Sequence, residues 1–217
     1  MKSKIMLLLS MIGLVACHES LSNKSRVTTL PFYKEATFTP HWIAPNDDVL
    51  DTFHHISPFN LMNQDGDFIS EKTFQDKIYV TDFFFTICPG ICPKMTANMM
   101  YLQDEFLHDD DVLLLSHSVT PERDSVPVLK RYAEDKGILS HKWHLATGPQ
   151  QEIYKLGRND YFVEEDLGLD KEEDDFLHTE NFVLIDKNRH IRGIYNGLNK
   201  TSVNQLIADI KTLKKEI

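Results

Sequence analysis

Two cysteines close together are the residues of this chain whose type and spacing most clearly suggest chemistry. Cys88 and Cys92 are separated by three residues in the stretch FFFTICPGICPKM, positions 83–95. Proline is favoured in the first turn of a helix, so Pro93 predicts that Cys92 lies near a helix start and Cys88 in the loop before it. Free backbone N–H groups and the helix dipole both favour thiolate there. We therefore expect both sulfurs to be more acidic than the reference pKa of about 8.5.

The spacing permits three kinds of pair, namely a structural disulfide, a redox couple or two ligands of a metal ion. Sulfurs this close in sequence could form a bond of about 2.05 Å or flank one ion at about 2.3 Å. A structural disulfide is the usual state of exported cysteines, but closing so small a loop gains little chain entropy, which favours a functional pair. Structural zinc would need four ligands, whereas two thiolates and an imidazole would suit copper. The imidazole would come from one of ten histidines.

The amino terminus predicts export and lipidation. Lys2 and Lys4 precede the apolar run Ile5–Val15, which is too short to span a bilayer and typical of a signal peptide. The following Cys17 completes a sequence, LVAC, that resembles the lipobox of bacterial lipoproteins. We expect residues 1–16 to be a lipoprotein signal peptide and the mature protein to be anchored by lipid to a membrane of the bacterial cell envelope. An ordinary signal peptide with a chance cysteine is the alternative.

The charge balance excludes one class of partner. The formal charge is −10, and removal of the signal peptide with its two lysines makes it −12. Nothing here could neutralise a run of phosphates, so we expect no nucleic-acid partner. The acidic stretch 163–176 is interpreted as an exposed loop. A sharper hypothesis is that this loop docks a cationic partner or raises the local copper concentration.

The hydrophobic pattern after residue 51 predicts one α/β domain with a mixed central sheet flanked by helices. Apolar runs predict buried strands, 3.6-residue spacing predicts helices, and two strands split by Lys187-Asn188 predict a second hairpin. The predicted strands are 78–86, 112–119, 145–146, 182–186 and 190–195, and the predicted helices are 94–106, 125–136, 150–156 and 203–217.

The region before this pattern predicts a tether and a hairpin. Residues 17–50 are interpreted as a tether and irregular lead-in that begins to pack near Phe38 and Trp42, ahead of a domain over 51–217. Asp65-Gly66 lies between apolar runs and predicts an N-terminal hairpin extension. The residues of this hairpin expected to face the core are Phe59, Leu61, Phe68 and Ile69.

Several sequence blocks in order resemble the Sco (SenC/PrrC) family of thioredoxin-fold copper proteins. The blocks are DGDFISEKTFQDKIYVTDFFFTICPGICPKM, LLSHSVTPERDSVPVLKRYAEDKGI, HKWHLATG and DDFLHTENFVLID, and together they span about residues 55–215. The resemblance implies a thioredoxin-like fold. It also implies a copper chaperone that assembles the CuA centre of cytochrome c oxidase, with an oxidase subunit or another thiol protein as the partner.

The resemblance also implies the copper ligands. Carried over to this chain, they are Cys88, Cys92 and His178, which lies 86 positions after Cys92, and they would hold one copper ion per chain as Cu(I) or Cu(II). The same cysteines would form the redox disulfide. Eight other histidines match no family context and are expected to be surface or satisfied residues: His41, His54, His55, His108, His117, His141, His144 and His190.

Two residues leave alternatives open. Gly90 stands where the family often has an aspartate between the cysteines, which puts in doubt any role assigned to that carboxylate. Asp82 is an acid in an apolar strand, and by analogy with thioredoxin-like reductases it is a candidate general base that should titrate high if buried. The alternatives to a chaperone are therefore a thiol–disulfide oxidoreductase and a redox or copper sensor. A peroxiredoxin-like enzyme is disfavoured because Phe85 replaces the threonine expected before its cysteine.

Overall fold

The computed structural model describes residues 24–163, 177 and 179–216. The predicted lipidation site Cys17, the ligand His178 and nearly all of the acidic stretch 163–176 lie outside the described residues, so they remain predictions.

In the described part of the chain, seven strands form two sheets. They are β1 (Asn60–Met62), β2 (Phe68–Ser70), β3 (Ile78–Phe84), β4 (Val112–Ser118), β5 (Trp143–Ala146), β6 (Asn181–Ile185) and β7 (Ile191–Asn196). The first two pair as an antiparallel hairpin, and the other five form a mixed sheet in the order β5-β4-β3-β6-β7. Strands β3, β4 and β5 are parallel, whereas β6 and β7 are antiparallel to their neighbours. The mixed sheet predicted from the hydrophobic pattern is confirmed.

Among the residues that the structure describes, four α-helices cover the sheet, with short 3₁₀ turns at Asp48–Thr52 and Glu71–Phe74 and a π-helical turn at Leu156–Asp160. They are α1 (Cys92–Glu105), α2 (Val126–Lys136), α3 (Gln150–Lys155) and α4 (Lys200–Glu216). Gly137 ends α2 with φ +77°, the left-handed conformation for which glycine is suited. No helix in the described part of the chain has the length and apolar character that crossing a bilayer requires.

The side chains of β3 alternate between two cores. Ile78, Val80 and Phe84 pack with α1, α2 and α4 on one face, while Tyr79 and Phe83 pack with the β1–β2 hairpin and α3 on the other. Both cores are buried, which is why this strand reads as a continuous apolar run. The alternation places the side chain of Asp82 on the face covered by α1.

The predicted hairpin forms, but one of its predicted core residues is exposed. Gly66 has φ +85° in the turn, and Asn63 Oδ1 accepts hydrogen bonds from the backbone N–H groups of Asp65 (3.0 Å) and Asp67 (2.9 Å). The predicted core residues Phe59, Leu61 and Ile69 are buried, whereas Phe68 is 71% exposed. The prediction for Phe68 is wrong because consecutive residues of a strand point to opposite faces, and its neighbour Ile69 takes the inner one.

Packing begins earlier in the lead-in than predicted. Leu30 and Phe32 are buried, whereas Trp42 is 64% exposed. Arg192 explains the early packing, because its guanidinium donates hydrogen bonds to the carbonyl oxygens of Leu30 (2.8 Å) and Pro31 (3.1 Å) and lies 3.9 Å from the ring centre of Phe32. The side chain that holds the lead-in therefore lies more than 150 residues away in sequence, where no local pattern reveals it.

The lead-in joins the sheet at one defined end. The backbone N–H of Tyr33 donates to the carbonyl oxygen of Ile191 at 3.0 Å. Ile191 pairs with Ile185, and Ile185 pairs with Tyr79 near the start of β3. The loop with the two cysteines follows the other end of β3, so the lead-in and the thiols lie at opposite ends of the sheet.

Candidate metal centre

The two cysteines lie where the central strand passes into the first long helix. All seven residues of β3 are buried, and the strand ends where the carbonyl oxygen of Phe84 accepts a hydrogen bond from the backbone N–H of Val119 at 2.9 Å. The chain then turns through residues 85–91, and Cys92 is the first residue of α1 with Pro93 next to it. The predicted placement of both cysteines is confirmed. Both are free thiols, with Cys92 buried and Cys88 partly exposed.

The two thiols differ in acidity although they are hydrogen-bonded to each other. Burial raises the pKa of Cys88. Hydrogen bonds from the Cys92 side chain and from the backbone N–H groups of Cys92, Gly90 and Ile91 lower it by more, so the pKa of Cys88 lies below its ordinary value. Burial raises the pKa of Cys92 above its ordinary value, and the hydrogen bond and charge of Cys88 raise it further. The expectation of an acidic sulfur is confirmed for Cys88 and wrong for Cys92, because desolvation outweighs the helix-start effects there.

A mostly apolar cavity of about 240 Å³ opens beside the thiols. Leu177 and Thr179, the residues on either side of the predicted ligand His178, both line it. Its other walls come from the end of β3, the thiol loop and the residue after β4, namely Phe83, Phe85, Cys88, Pro89, Gly90, Ile91, Cys92 and Val119.

Asp82 is buried behind the thiols, with 2% of its surface exposed. The hydroxyl of Ser116 donates a hydrogen bond to its carboxylate, and Trp143 Nε1 donates to the Ser116 oxygen at 2.8 Å. Burial raises the pKa of Asp82 to about 7, although the Ser116 hydrogen bond lowers it. The charge of Asp82 is also one of the causes that raise the pKa of Cys92, which places the two groups within electrostatic reach.

Asp124 is a residue of this site that the sequence reasoning missed. It is fully buried and accepts four hydrogen bonds, two from Thr86 and one each from Ser118 and Thr120. Its position at the end of the block TPERD, among hydroxyl residues, was the available signal. That signal is weak in sequence because Thr86 lies 38 positions away.

Most of the described histidines stand apart from the thiols. His117 is fully buried and stacks on Phe83 with ring centres 4.8 Å apart, and burial lowers its pKa to about 3. His54 Nε2 donates to the carbonyl oxygen of Asp160 at 2.7 Å, as expected of a satisfied residue. The same expectation is wrong for His117, because neither of its buried ring nitrogens has a hydrogen-bond partner among the described residues. Within residues 24–163, 177 and 179–216, no three histidine, cysteine or acidic side chains are arranged to hold a metal ion. Among these residues, Cys88 and Cys92 are thus the metal-binding groups that the cavity offers.

The donor atoms at the cavity fit a soft metal ion. Both cysteines line the same cavity, so one ion there could bind the two sulfurs together. Soft thiolate ligands select Cu(I), Zn²⁺ or iron–sulfur clusters over hard cations such as Mg²⁺ or Ca²⁺. An imidazole added at position 178 would bring the set to two sulfurs and one nitrogen.

Comparison with protein-family models gives a match to the family described as SCO1/SenC over residues 47–215. Among solved structures, BsSco is described as a member of the Sco family of cytochrome c oxidase assembly proteins in which a disulfide switch was identified. It is 30% identical with a TM-score of 0.62, over 74% of this chain and 93% of its own.

Two further structures are similar to this chain. A SCO1/SenC family lipoprotein from Bacillus anthracis is 32% identical with a TM-score of 0.64, over 74% of this chain and 95% of its own. ScoI of Arabidopsis thaliana, solved with copper bound, is 25% identical with a TM-score of 0.56, over 73% of this chain and 98% of its own. Together with the mixed sheet described above, these likenesses confirm the predicted α/β, thioredoxin-like fold.

Proposed function

Because the chain belongs to the SCO1/SenC family, we propose that it is a copper chaperone, and that Cys88, Cys92 and His178 hold one copper ion for delivery to the CuA site of a respiratory cytochrome c oxidase. One observation supports the choice of these three residues as the copper ligands. Leu177 and Thr179 line the same cavity as both thiols, and His178 is the residue between them. The copper-bound relative and the relative assigned to oxidase assembly support the cargo and the partner.

The two thiols would take up copper unequally. Thiolate is the form that binds metal, and the hydrogen bonds at Cys88 favour thiolate there. Cys92 holds its proton more tightly because it is buried, so binding through both sulfurs releases that proton. Copper affinity should therefore rise with pH, and oxidation of the pair to a disulfide should abolish it.

The proposal includes a lipid anchor on Cys17. A signal peptide over residues 1–16 and lipid on Cys17 would place the domain in the bacterial cell envelope, tethered through the lead-in. The similar lipoprotein from Bacillus anthracis supports this. Mass spectrometry of the protein extracted from membranes would test it, because a diacylated or triacylated Cys17 has a defined added mass. An unmodified amino terminus at another residue would refute the anchor.

Copper titration of the reduced protein tests the ligand set. Competition with a chromophoric Cu(I) chelator should give one tight site in the wild type and an affinity at least about tenfold weaker in His178→Ala, a loss of about 1.4 kcal/mol. His108→Ala is the matched control, because His108 is exposed beyond the far end of α1 and should bind as the wild type does. Equal binding by wild type and His178→Ala, or no binding by either, would reject the assignment.

A second candidate function, thiol–disulfide exchange, is favoured by the difference between the thiols. An exposed, acidified Cys88 would attack a partner disulfide, and the buried Cys92 would resolve the mixed disulfide. Asp82 could then take up the proton of Cys92, with Ser116 holding the carboxylate in place. His178 has no part in this reaction.

A parallel pair of assays separates the two functions. A copper chaperone loses copper transfer in His178→Ala and keeps thiol exchange, whereas an oxidoreductase keeps its exchange rate in His178→Ala and loses it in Asp82→Asn. Full exchange activity in Asp82→Asn would count against Asp82 as the base.

A further inference from the structure

A single buried carboxylate joins the thiol loop to a second loop at the same edge of the sheet. Asp124 Oδ1 accepts a hydrogen bond from the Thr86 hydroxyl at 2.5 Å, and Oδ2 accepts from the Thr86 backbone N–H at 3.2 Å. Oδ2 also accepts from the hydroxyls of Ser118 at 2.6 Å and Thr120 at 3.1 Å. The side chain is fully buried, and these four donors are all uncharged.

The four donors come from two segments that are distant in sequence. Thr86 lies in the thiol loop, two residues before Cys88. Ser118 ends β4, and Thr120 follows Val119, whose side chain lines the cavity beside the thiols. The backbone N–H of Asp124 also donates to the carbonyl oxygen of Thr120 at 2.9 Å, which closes the 118–124 turn on itself. The carboxylate of Asp124 therefore fixes the position of the thiol loop relative to the 118–124 turn, and both segments contribute to the walls of the cavity.

Phe85, Cys88 and Ile91 of the thiol loop pack against the apolar cores, and the link to Asp124 adds directional hydrogen bonds to this packing. The last ladder bond between the strands is the one from Val119 to the Phe84 carbonyl oxygen, so the loop beyond Phe84 leaves the support of the sheet. Within the loop, Cys88 donates its backbone N–H to Phe85 at 3.3 Å, a local bond that does not fix the loop to the rest of the domain. The two hydrogen bonds from Thr86 to Asp124 do fix the loop to the rest of the domain. A carboxylate with four donors is also costly to replace, because each donor left buried without a partner destabilises the fold.

We propose that Asp124 is a positioning residue for the thiol pair, which fixes the thiol loop against the 118–124 turn and so holds Cys88 beside the start of α1. Asp124 does not touch the sulfurs and acts through Thr86. This inference deepens the proposed function, since it names what holds the ligands in place, but it applies equally to the thiol pair without metal.

The midpoint potential of the Cys88–Cys92 couple in glutathione buffers at pH 7 tests the proposal without copper. Asp124→Ala frees Thr86 and lets the thiol loop move away from the start of α1, where the helix dipole favours the reduced Cys88. The equilibrium should therefore move toward the disulfide by about tenfold, which corresponds to about 30 mV. Thr86→Val removes only the hydroxyl donor and should move it in the same direction by a smaller factor. Asp124→Asn, which keeps one acceptor oxygen, should lie between the wild type and Asp124→Ala.

Asp186→Asn is the matched control, because Asp186 is another buried aspartate with several donors but lies at the opposite end of the sheet. It should lower the stability of the fold and leave the potential within about twofold of the wild-type equilibrium. A wild-type potential in folded Asp124→Ala, or in Thr86→Val if Asp124→Ala does not fold, would overturn the proposal. A shifted potential in a protein that fails the copper titration would reject the chaperone role and support the role of Asp124.

Discussion

The hydroxyl of Ser116 donates a hydrogen bond to the carboxylate of Asp82 inside the core, where the two residues are paired across β3 and β4. Trp143 extends this contact by donating from its indole N–H to Ser116. The three side chains form a polar chain across three parallel strands on the face covered by α1. An ionisable group in this position makes the stability of the fold depend on pH.

Asp82→Asn should stabilise the protein at neutral and alkaline pH. Burial raises the pKa of Asp82 from 3.8 to about 7 in the folded protein. At a pH between these two values, the folded state keeps a proton that the unfolded state has released. The free energy of unfolding of the wild type therefore falls as pH rises from about 4 to 7, on the order of 4 kcal/mol for this group. Asp82→Asn has no carboxyl group to titrate, so its free energy of unfolding should not fall in this way. Urea unfolding of both reduced proteins at pH 5 and pH 8 measures the difference in their free energies of unfolding.

An exposed aspartate provides the comparison for this prediction. Asp104→Asn in α1 changes a carboxylate that lies on the surface and should leave the pH dependence of unfolding as in the wild type. A stability difference between wild type and Asp82→Asn that is the same at pH 5 and pH 8 would contradict the raised pKa.

Alkylation should distinguish the two cysteines. Cys88 is partly exposed with a lowered pKa, and Cys92 is buried with a raised pKa. Iodoacetamide reacts with thiolate, so at pH 7 Cys88 should be labelled at least about tenfold faster than Cys92. Peptide mass spectrometry of a short time course gives both rates. Faster labelling of Cys92 would mean that the acidities are assigned the wrong way round.

Gly90→Asp should place a carboxylate where the family often has one, between the cysteines, and should make Cys88 less reactive. A Cβ atom at Gly90 would lie 4.0 Å from Cys88 Sγ, an ordinary contact, so the side chain can be accommodated. A negative charge this close disfavours thiolate, so the pKa of Cys88 should rise and its alkylation at pH 7 should slow severalfold. Gly90→Asn adds a side chain of the same shape without the charge. An equal effect of both substitutions would assign the change to backbone freedom.

Arg192→Met should destabilise the fold strongly. Arg192 is buried and forms ion pairs with Asp186 at 3.2 Å and Glu216 at 2.6 Å, besides its contacts to the lead-in. Removing one member of a buried ionic group leaves the others without compensation and costs about 3–5 kcal/mol. Lys211→Met is the control, because the ion pair of Lys211 with Glu105 is largely exposed and contributes at most about 1 kcal/mol. Urea unfolding compares the two, and a similar loss in both would refute the role of Arg192.

The features predicted correctly from sequence are those encoded by local patterns. The nearly continuous apolar run 78–86 predicts a strand buried on both faces, and β3 covers Ile78–Phe84 of it. Pro93 and Gly137 lie at the start of α1 and the end of α2 as expected. Phe68 shows the limit of such patterns, since an apolar residue beside another in a strand must point away from it. The pattern identifies the hairpin but does not tell which of the two neighbours faces the core.

The features missed are those that depend on partners far away in sequence. Leu30 is buried because Arg192 and Glu216 hold its backbone, and Asp124 matters because of Thr86. The raised pKa of Cys92 has a related cause, because the burial of Cys92 depends on how α1 packs against the sheet. The prediction of His178 rests on the family resemblance, since nothing in its local sequence distinguishes it from the other histidines.

The attachment of Tyr33 to Ile191 has a consequence for access. The lead-in joins the sheet at the end where β3 starts, whereas the thiols lie at the end where β3 finishes. A partner protein can therefore approach Cys88 at the end of the sheet that the lead-in does not occupy. The proposed lipid anchor on Cys17 would hold the domain from the end of the sheet opposite the thiols, so a longer or shorter tether would change the distance of Cys88 from the membrane without altering the thiol loop.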